Sequence, residues 1–189
     1  MSSQPGGESR LDAELVEQAK SGNLSAFEEL VTRHQRGLYN FLFRMTGEVA
    51  AAEELTQTAL VRAWTGLSGF RQASSFKTWL YRIGANLAMN YRLRTRPAEE
   101  LTESIPAPES RQPEVEYLRH RRERIVREAL SKLPADQRLA LVLSVYEGQS
   151  YKEIAAVMKR SVRAVDSLLF RAKQNLRRLL QPARDKGIV

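Results

Sequence analysis

The sequence predicts an all-α protein built as two small helical bundles joined by a flexible linker, the second bundle containing a helix-turn-helix. Three observations predict it. Apolar residues recur at helical spacing through most of the chain, with no strand alternation and no internal repeat. Residues 95–117 interrupt that pattern with four of the seven prolines, six acidic residues and only two basic ones, a composition that breaks helices and marks a domain boundary. Finally, residues 148–180 read as two helices separated by a three-residue turn.

Residues 1–9 are rich in Gly, Ser and Pro and are expected to form a disordered tail. A short helix is expected from Leu11 to Ser21, stopped by Gly22-Asn23. Ser25 with Glu28 has the spacing of a capping box. It opens a long amphipathic helix through Phe27, Leu30, Val31, His34, Leu38, Phe41, Leu42 and Met45. Gly47 ends it. A third helix, about 48–65, would bury Val49, Ala52, Leu55, Ala59 and Trp64. The loop that follows is polar except for Leu67 and Phe70. Ser75 can cap a fourth helix running to about Thr95, with Phe76, Trp79, Leu80, Ile83 and Leu87 inside.

Beyond the linker, one helix carries Leu118, Ile125, Val126, Ala129, Leu130 and Leu133 and ends before Pro134. The next, about 135–147, turns Leu139, Val142, Leu143 and Tyr146 inward and stops at Gly148. Ser150 and Glu153 then form a capping box, Ile154, Ala155 and Met158 follow at helical spacing, and Lys159-Arg160-Ser161 makes the turn. Ser161 caps the last helix, whose apolar face is Val162, Val165, Leu168, Leu169, Ala172, Leu176 and Leu179. The expected organisation is a tail (1–9), a helical domain (10–96), an acidic Pro-rich linker (97–114), a helix-turn-helix domain (115–182) and a second tail (183–189).

Charge narrows the function. The net charge is +8, which points to a polyanionic partner, most often nucleic acid. The helix after Ser161 holds five basic residues against one acidic residue, Asp166, the form of a DNA-reading helix. The fourth helix carries Lys77, Arg82, Arg92, Arg94 and Arg96 with no carboxylate, and Asn86 and Asn90 lie four apart on one face near Arg82. That is a second polyanion surface.

Catalysis is disfavoured. There is no cysteine, and the two histidines, His34 and His120, fall in different domains. No zinc-binding spacing, nucleophile elbow or Gly-rich phosphate loop occurs, so neither a metal nor a cofactor is expected. His34 lies on an inward face and is expected to be a hydrogen-bonded structural residue. The stretch MSSQPGGESR has no apolar run, so a signal peptide is not expected, and no apolar run approaches the ~20 residues of a membrane span. A cytoplasmic protein is expected. A stand-alone helix-turn-helix regulator and a basic adaptor at an anionic membrane are the rival readings on these grounds.

Three segments in order, AAEELTQTALVRAW (51–64), FKTWLYRIGANLAMNYRLR (76–94) and LPADQRLALVLSVYEGQSYKEIAAVMKRSVRAVDSLLFRAK (133–173), resemble the extracytoplasmic-function class of bacterial sigma factors, which have only sigma regions 2 and 4. The resemblance implies a dissociable subunit of RNA polymerase that recognises the −35 duplex and melts the −10 element. It implies contacts to the clamp of the largest polymerase subunit through Glu54, Leu55, Gln57, Leu60 and Arg62, and to the flap of the second largest subunit. It assigns −10 recognition to Phe70, Asn86, Asn90, Arg82, Arg92 and Arg94, with Phe70 stacking on a flipped base, Asn86 reading its edge and the arginines holding phosphates. It assigns the −35 element to Arg163, Asp166, Ser167, Phe170, Arg171 and Lys173, with Arg171 suited to guanine. Asp166 departs from the family pattern, in which a basic residue often stands there. An anti-sigma factor, often membrane-bound and able to hold the chain at the inner membrane, is implied as a partner. No small-molecule substrate is implied.

Overall fold

A computed structural model describes residues 5–94 and 113–188, with side chains from 11–94 and 117–188. The described residues form eight α-helices and no strand. The first domain contains α1 (Pro5–Lys20), α2 (Leu24–Thr46), α3 (Val49–Gly66) and α4 (Phe76–Arg94), with a 3-10 turn at Leu67–Gly69. The second contains α5 (Pro113–Ser131), α6 (Ala135–Val145), α7 (Tyr151–Met158) and α8 (Val162–Arg184).

The fully buried side chains Leu30, Leu38, Phe41, Leu42 and Met45 of α2 form the spine on which α1, α3 and α4 pack. Gly84 lets α4 lie close against α2: a Cβ there would sit 2.9 Å from Leu38 Cδ1 and 3.5 Å from Phe41 Cε1. His34 Nε2 lies 2.7 Å from the buried Asp12 carboxylate, fastening α1 to α2. This is the structural role read from its inward position.

Several boundaries differ from expectation. Residues 5–9 begin α1 instead of continuing a tail, and Pro5 is well suited to a first helical position because the N–H it lacks would have no helical acceptor. Asn23, not Ser25, caps α2, accepting from Ala26 N at 3.3 Å. Asn23 already holds the extended φ/ψ that a cap requires, whereas Ser25 lies inside the helix. At the other end α8 passes through Pro182 to Arg184. The expected tail at 1–4 and most of the acidic linker lie outside the described residues.

The helix-turn-helix follows its sequence signals closely. Ser150 Oγ accepts from Glu153 N while the Glu153 carboxylate accepts from Ser150 N at 2.8 Å, closing the capping box on α7. Lys159 ends α7 in the left-handed region (φ 51°), and Ser161 Oγ caps α8 by accepting from Ala164 N at 3.2 Å. Ile154 and Ala155 of α7 and Val165, Leu168, Leu169 and Ala172 of α8 are buried together with Leu139, Val142 and Leu143 of α6.

The two domains share one continuous apolar core. Helix α7 packs on α4, and α6 on α2. Polar contacts close the seam. Tyr81 donates to the Glu147 carboxylate at 2.6 Å, Lys77 Nζ donates to the Glu147 carbonyl at 3.1 Å, and Arg44 stacks over the Tyr146 ring at 4.3 Å.

Candidate nucleic-acid interface

Burial of one face of α8 leaves the other free. Arg163, Asp166, Ser167, Phe170, Arg171 and Lys173 are all exposed, and Phe170 keeps 63% of its surface. The six expected residues therefore lie along one solvent-facing helix surface. Ser167 Oγ donates to Arg163 O at 3.0 Å, and Arg171 Nε donates to Ser167 O at 3.2 Å. These local bonds hold both polar groups against the helix. An exposed carboxylate among these cations lowers the local positive potential, and a carboxylate can accept from a cytosine amine.

In α4 the exposed stripe is Asn86 and Asn90, continued toward the N-terminus by half-buried Arg82 and toward the C-terminus by exposed Arg94. The spacing of four places Arg82, Asn86 and Asn90 in one row. Arg92 is placed differently. Its guanidinium turns inward, Nη1 is buried, and burial pushes the group's pKa down. In the arrangement described it does not project alongside Arg94 as a free phosphate contact.

Phe70 also differs from the expectation of a free stacking face. It is 6% exposed, stacked on Trp79 at 4.7 Å and set edge-on to Phe76 at 6.4 Å, with Lys20 Nζ 5.9 Å from its ring. An isolated apolar ring in a polar loop gains more from burial against two aromatic neighbours than from exposure. It anchors the loop. Beside it lies a cleft of about 150 Å³ lined by Ala13, Val16, Phe70, Gln72, Ser74, Ser75 and Phe76. Gln72 adopts the left-handed backbone (φ 52°) and donates to Glu17 Oε1 at 2.6 Å, which fixes the cleft's rim. Lys20 and Gln72, both bonded to Glu17, hold its carboxyl below the usual pKa.

On α3, Glu54, Gln57 and Arg62 are exposed and Leu60 is half-buried. Leu55 is 8% exposed and belongs to the core with Ala52, Ala59 and Ala63. It cannot be a direct contact without displacing that packing. Two residues join this surface that the sequence reading did not place there. Val61 is 62% exposed, and Trp64, expected inside, is 40% exposed while one face rests on Phe27 at 4.9 Å. The available signal was phase: Val61 falls outside the 52, 55, 59, 63 burial repeat, and an apolar residue out of phase marks an exposed patch.

Among the described residues no group of three or more His, Asp or Glu side chains could hold a metal ion. No described helix is long and apolar enough to cross a membrane.

Comparison with known proteins finds one family match in each part of the chain. Residues 30–97 match Sigma-70 region 2, and residues 123–176 match Sigma-70, region 4. The chain is 35% identical over 184 residues to the RNA polymerase sigma-H factor of Pseudomonas aeruginosa, covering 90% of this chain and 94% of the relative. It is also 35% identical to the ECF RNA polymerase sigma-E factor of Escherichia coli K12, covering 90% and 95%. Among solved structures it resembles CnrH in complex with the cytosolic domain of CnrY, with a TM-score of 0.71 and 31% identity over 91% of this chain and 98% of that one. It also resembles the sigma factor RpoE in complex with the anti-sigma factor NepR from Bartonella quintana, with a TM-score of 0.64 and 26% identity over 82% and 96%.

Proposed function

This chain belongs to the extracytoplasmic-function class of the sigma-70 family, and from that membership we propose how it directs core RNA polymerase to promoters and which side chains do the work. The observation that carries the reading is the pair of separate cationic surfaces, one in each matched region. A stand-alone regulator is not favoured, because the likeness to sigma factors runs through both domains.

The domain spanning 10–96 binds core polymerase and the −10 element, and the domain spanning 115–182 reads the −35 duplex, with the 97–114 linker spanning them. The exposed face of α8 enters the major groove. Arg171 reads a guanine edge, Arg163 and Lys173 hold phosphates, and Phe170 offers an apolar edge to thymine methyl groups. In the other domain Asn86 reads a base of the melted strand, with Asn90, Arg82 and Arg94 beside it. The cleft beside Gln72 receives the extruded base, its unstacking offset by hydrogen bonds from the Ser74, Ser75 and Gln72 side chains. Phe70 forms the cleft's wall rather than a free stacking platform.

Glu54, Gln57, Leu60, Arg62, Val61 and Trp64 dock on the clamp of the largest subunit, and the second domain meets the flap of the second largest. The role is that of a non-catalytic initiation subunit working in the cytoplasm. An anti-sigma factor is its regulator, as the anti-sigma factor NepR is seen bound to the related RpoE, and it holds the chain at the inner membrane where it is itself membrane-bound. The test is in vitro transcription on genomic DNA with purified core polymerase. Promoter-specific starts that depend on this chain are expected. Tight binding to a palindromic operator without polymerase, and no new start sites, would overturn the assignment.

A further inference from the structure

The cationic face of α8 continues past the residues expected to read the −35 element. Side chains three or four apart on a helix share one face. Arg163, Ser167, Phe170, Gln174, Arg177 and Arg178 follow that spacing, and all are exposed. The opposite face is the buried stripe of Val165, Leu168, Leu169 and Ala172, with Leu176 and Leu179 packed against the same core. The direction of the outward row is therefore set along most of the helix.

Helix α8 has 23 residues, about 34 Å at about 1.5 Å per residue. From Ser167, near the middle of the expected reading residues, Arg177 and Arg178 lie about 15–17 Å along the axis and Arg184 about 26 Å. A recognition helix meets base edges with its N-terminal residues, and a major groove is only about 12 Å wide. The far half of α8 thus lies beyond those base edges, yet it keeps its outward cations. Basic residues near a helix C-terminus ordinarily answer the macrodipole, an effect confined to the last turn. That accounts for Arg184, in the last turn of α8. It does not account for Arg177 and Arg178, almost two turns earlier.

Helix α5 brings further arginines to the same end of the domain. Arg122 Nε donates to Ile188 O at 2.7 Å, which sets the arginine-rich half of α5 beside the C-terminal end of α8. Residues 119–128 hold five arginines against Glu123 and Glu128. Those carboxylates lie 3.6 Å from Arg119 and 3.9 Å from Arg124, while Arg121 and Arg122 are exposed. Residues 171–186 hold six basic residues and one carboxylate, Asp185, which accepts from Gln181 at 2.7 Å. Exposed arginines on two neighbouring helices suit a row of phosphates.

We propose that Arg121, Arg122, Arg177, Arg178 and Arg184 form a second phosphate-binding surface on this domain, taking the backbone of duplex DNA that flanks the −35 element. The placement rests on the −35 reading of the N-terminal half of α8. Contacts to phosphate add affinity and fix the path of the flanking duplex without reading sequence. They also carry a signature, because each phosphate neutralised steepens the fall of log affinity with log salt by about 0.9.

The full chain, with its own acidic 97–114 segment, is titrated into two fluorescent duplexes of one arbitrary sequence. Their lengths are about 10 bp, one helical turn, and about 30 bp, and anisotropy is read between about 50 and 200 mM potassium chloride. Arg121→Gln with Arg177→Gln and Arg178→Gln is expected to make the slope shallower by about 2–3 on the long duplex and by less than about 1 on the short one. Arg121→Lys with Arg177→Lys and Arg178→Lys, which keeps the charge, is expected to retain the wild-type slope. Arg163→Gln, in the reading half, acts on both duplexes alike, and circular dichroism confirms that each variant is folded. Unchanged slopes in the glutamine variant would overturn the proposal. An equal loss on both duplexes would also overturn it, by placing these arginines in the groove contact itself. A lysine variant as shallow as the glutamine one would overturn it too, since the contact would not be one of charge. The duplexes carry no promoter and no polymerase is present, so failure here leaves promoter-directed transcription standing. Absence of promoter-specific starts equally leaves this surface standing.

Discussion

Removing the Glu147 carboxylate is expected to destabilise a domain that does not contain it. Glu147 lies in the turn between α6 and α7, with its side chain only 8% exposed, and accepts from the Tyr81 hydroxyl at 2.6 Å. Tyr81 is 1% exposed, and burial beside that carboxylate pushes its pKa far above the usual tyrosine value, so it remains a donor at any working pH. A hydrogen bond to a charged acceptor contributes about 1.5–3 kcal/mol, and an orphaned buried hydroxyl costs about 1–3 kcal/mol. Arg44, 3.9 Å from the carboxylate, adds little at that separation on a partly exposed side chain. Glu147→Ala is therefore expected to weaken the seam by about 2 kcal/mol. Both tryptophans, Trp64 and Trp79, lie in the first domain, so their fluorescence during urea unfolding reports on that domain alone. With a urea slope of about 1–3 kcal/mol/M, the midpoint should fall by roughly 1 M although the substitution lies in the second domain. Tyr81→Phe should also lower the midpoint, since it leaves the buried carboxylate with only the weak Arg44 contact. The double variant should show coupling of at least about 1 kcal/mol, well above the ~0.5 kcal/mol expected of independent sites. An unchanged tryptophan midpoint in Glu147→Ala, or strict additivity in the cycle, would refute the claim that this bond joins the domains.

Asn86→Ala is expected to abolish base preference at one −10 position while leaving core-polymerase affinity unchanged; heparin-resistant open complexes on a set of −10 variants would measure it. Asp166→Ala should relax preference at one −35 base pair by about 1–3 kcal/mol and raise nonspecific affinity, since a carboxylate near phosphates is lost, as a binding-site selection at two salt concentrations would read. Glu54→Ala with Gln57→Ala should weaken core binding at least about tenfold, as expected when exposed interface contacts are truncated, without altering unfolding; fluorescence anisotropy with core enzyme tests both halves. In Gly84→Ala the helix gains about 1 kcal/mol, but overpacking against Leu38 and Phe41 costs about 1–3 kcal/mol. A net loss is expected in urea, and a gain would show that α2 and α4 separate easily.

Local signals were mostly legible where a single segment decided the outcome, although Asn23 took the α2 cap in place of Ser25. The Ser150–Glu153 box, the Ser161 cap and the Ser75 cap, which accepts from Thr78 N at 3.1 Å, need only residues three apart. The exposed face of α8 was equally legible, because its apolar stripe fixes which side chains remain outside. Phe70 and Arg92 were less so, and Leu55 was legible as a core residue of its own helix, which is at odds with a direct polymerase contact. Phe70 sits in a polar loop but is claimed by Phe76 and Trp79 of the next helix, and Arg92, basic in its own segment, turns its guanidinium inward. Periodicity tells which residues leave water, but it does not tell which second surface they meet.

The seam follows from the same limitation. As separate bundles, the two domains give no reason for Arg138 to be buried, since a bundle surface would solvate it. Once α6 lies on α2, its guanidinium is the nearest donor to the free carbonyl at Met45, where α2 has run out of helical N–H partners. That bond favours docking, while the unpaired charge it carries into the seam opposes it. The Tyr81–Glu147 bond and the shared apolar core work for closure, and the desolvation of the buried Arg138 guanidinium works against it.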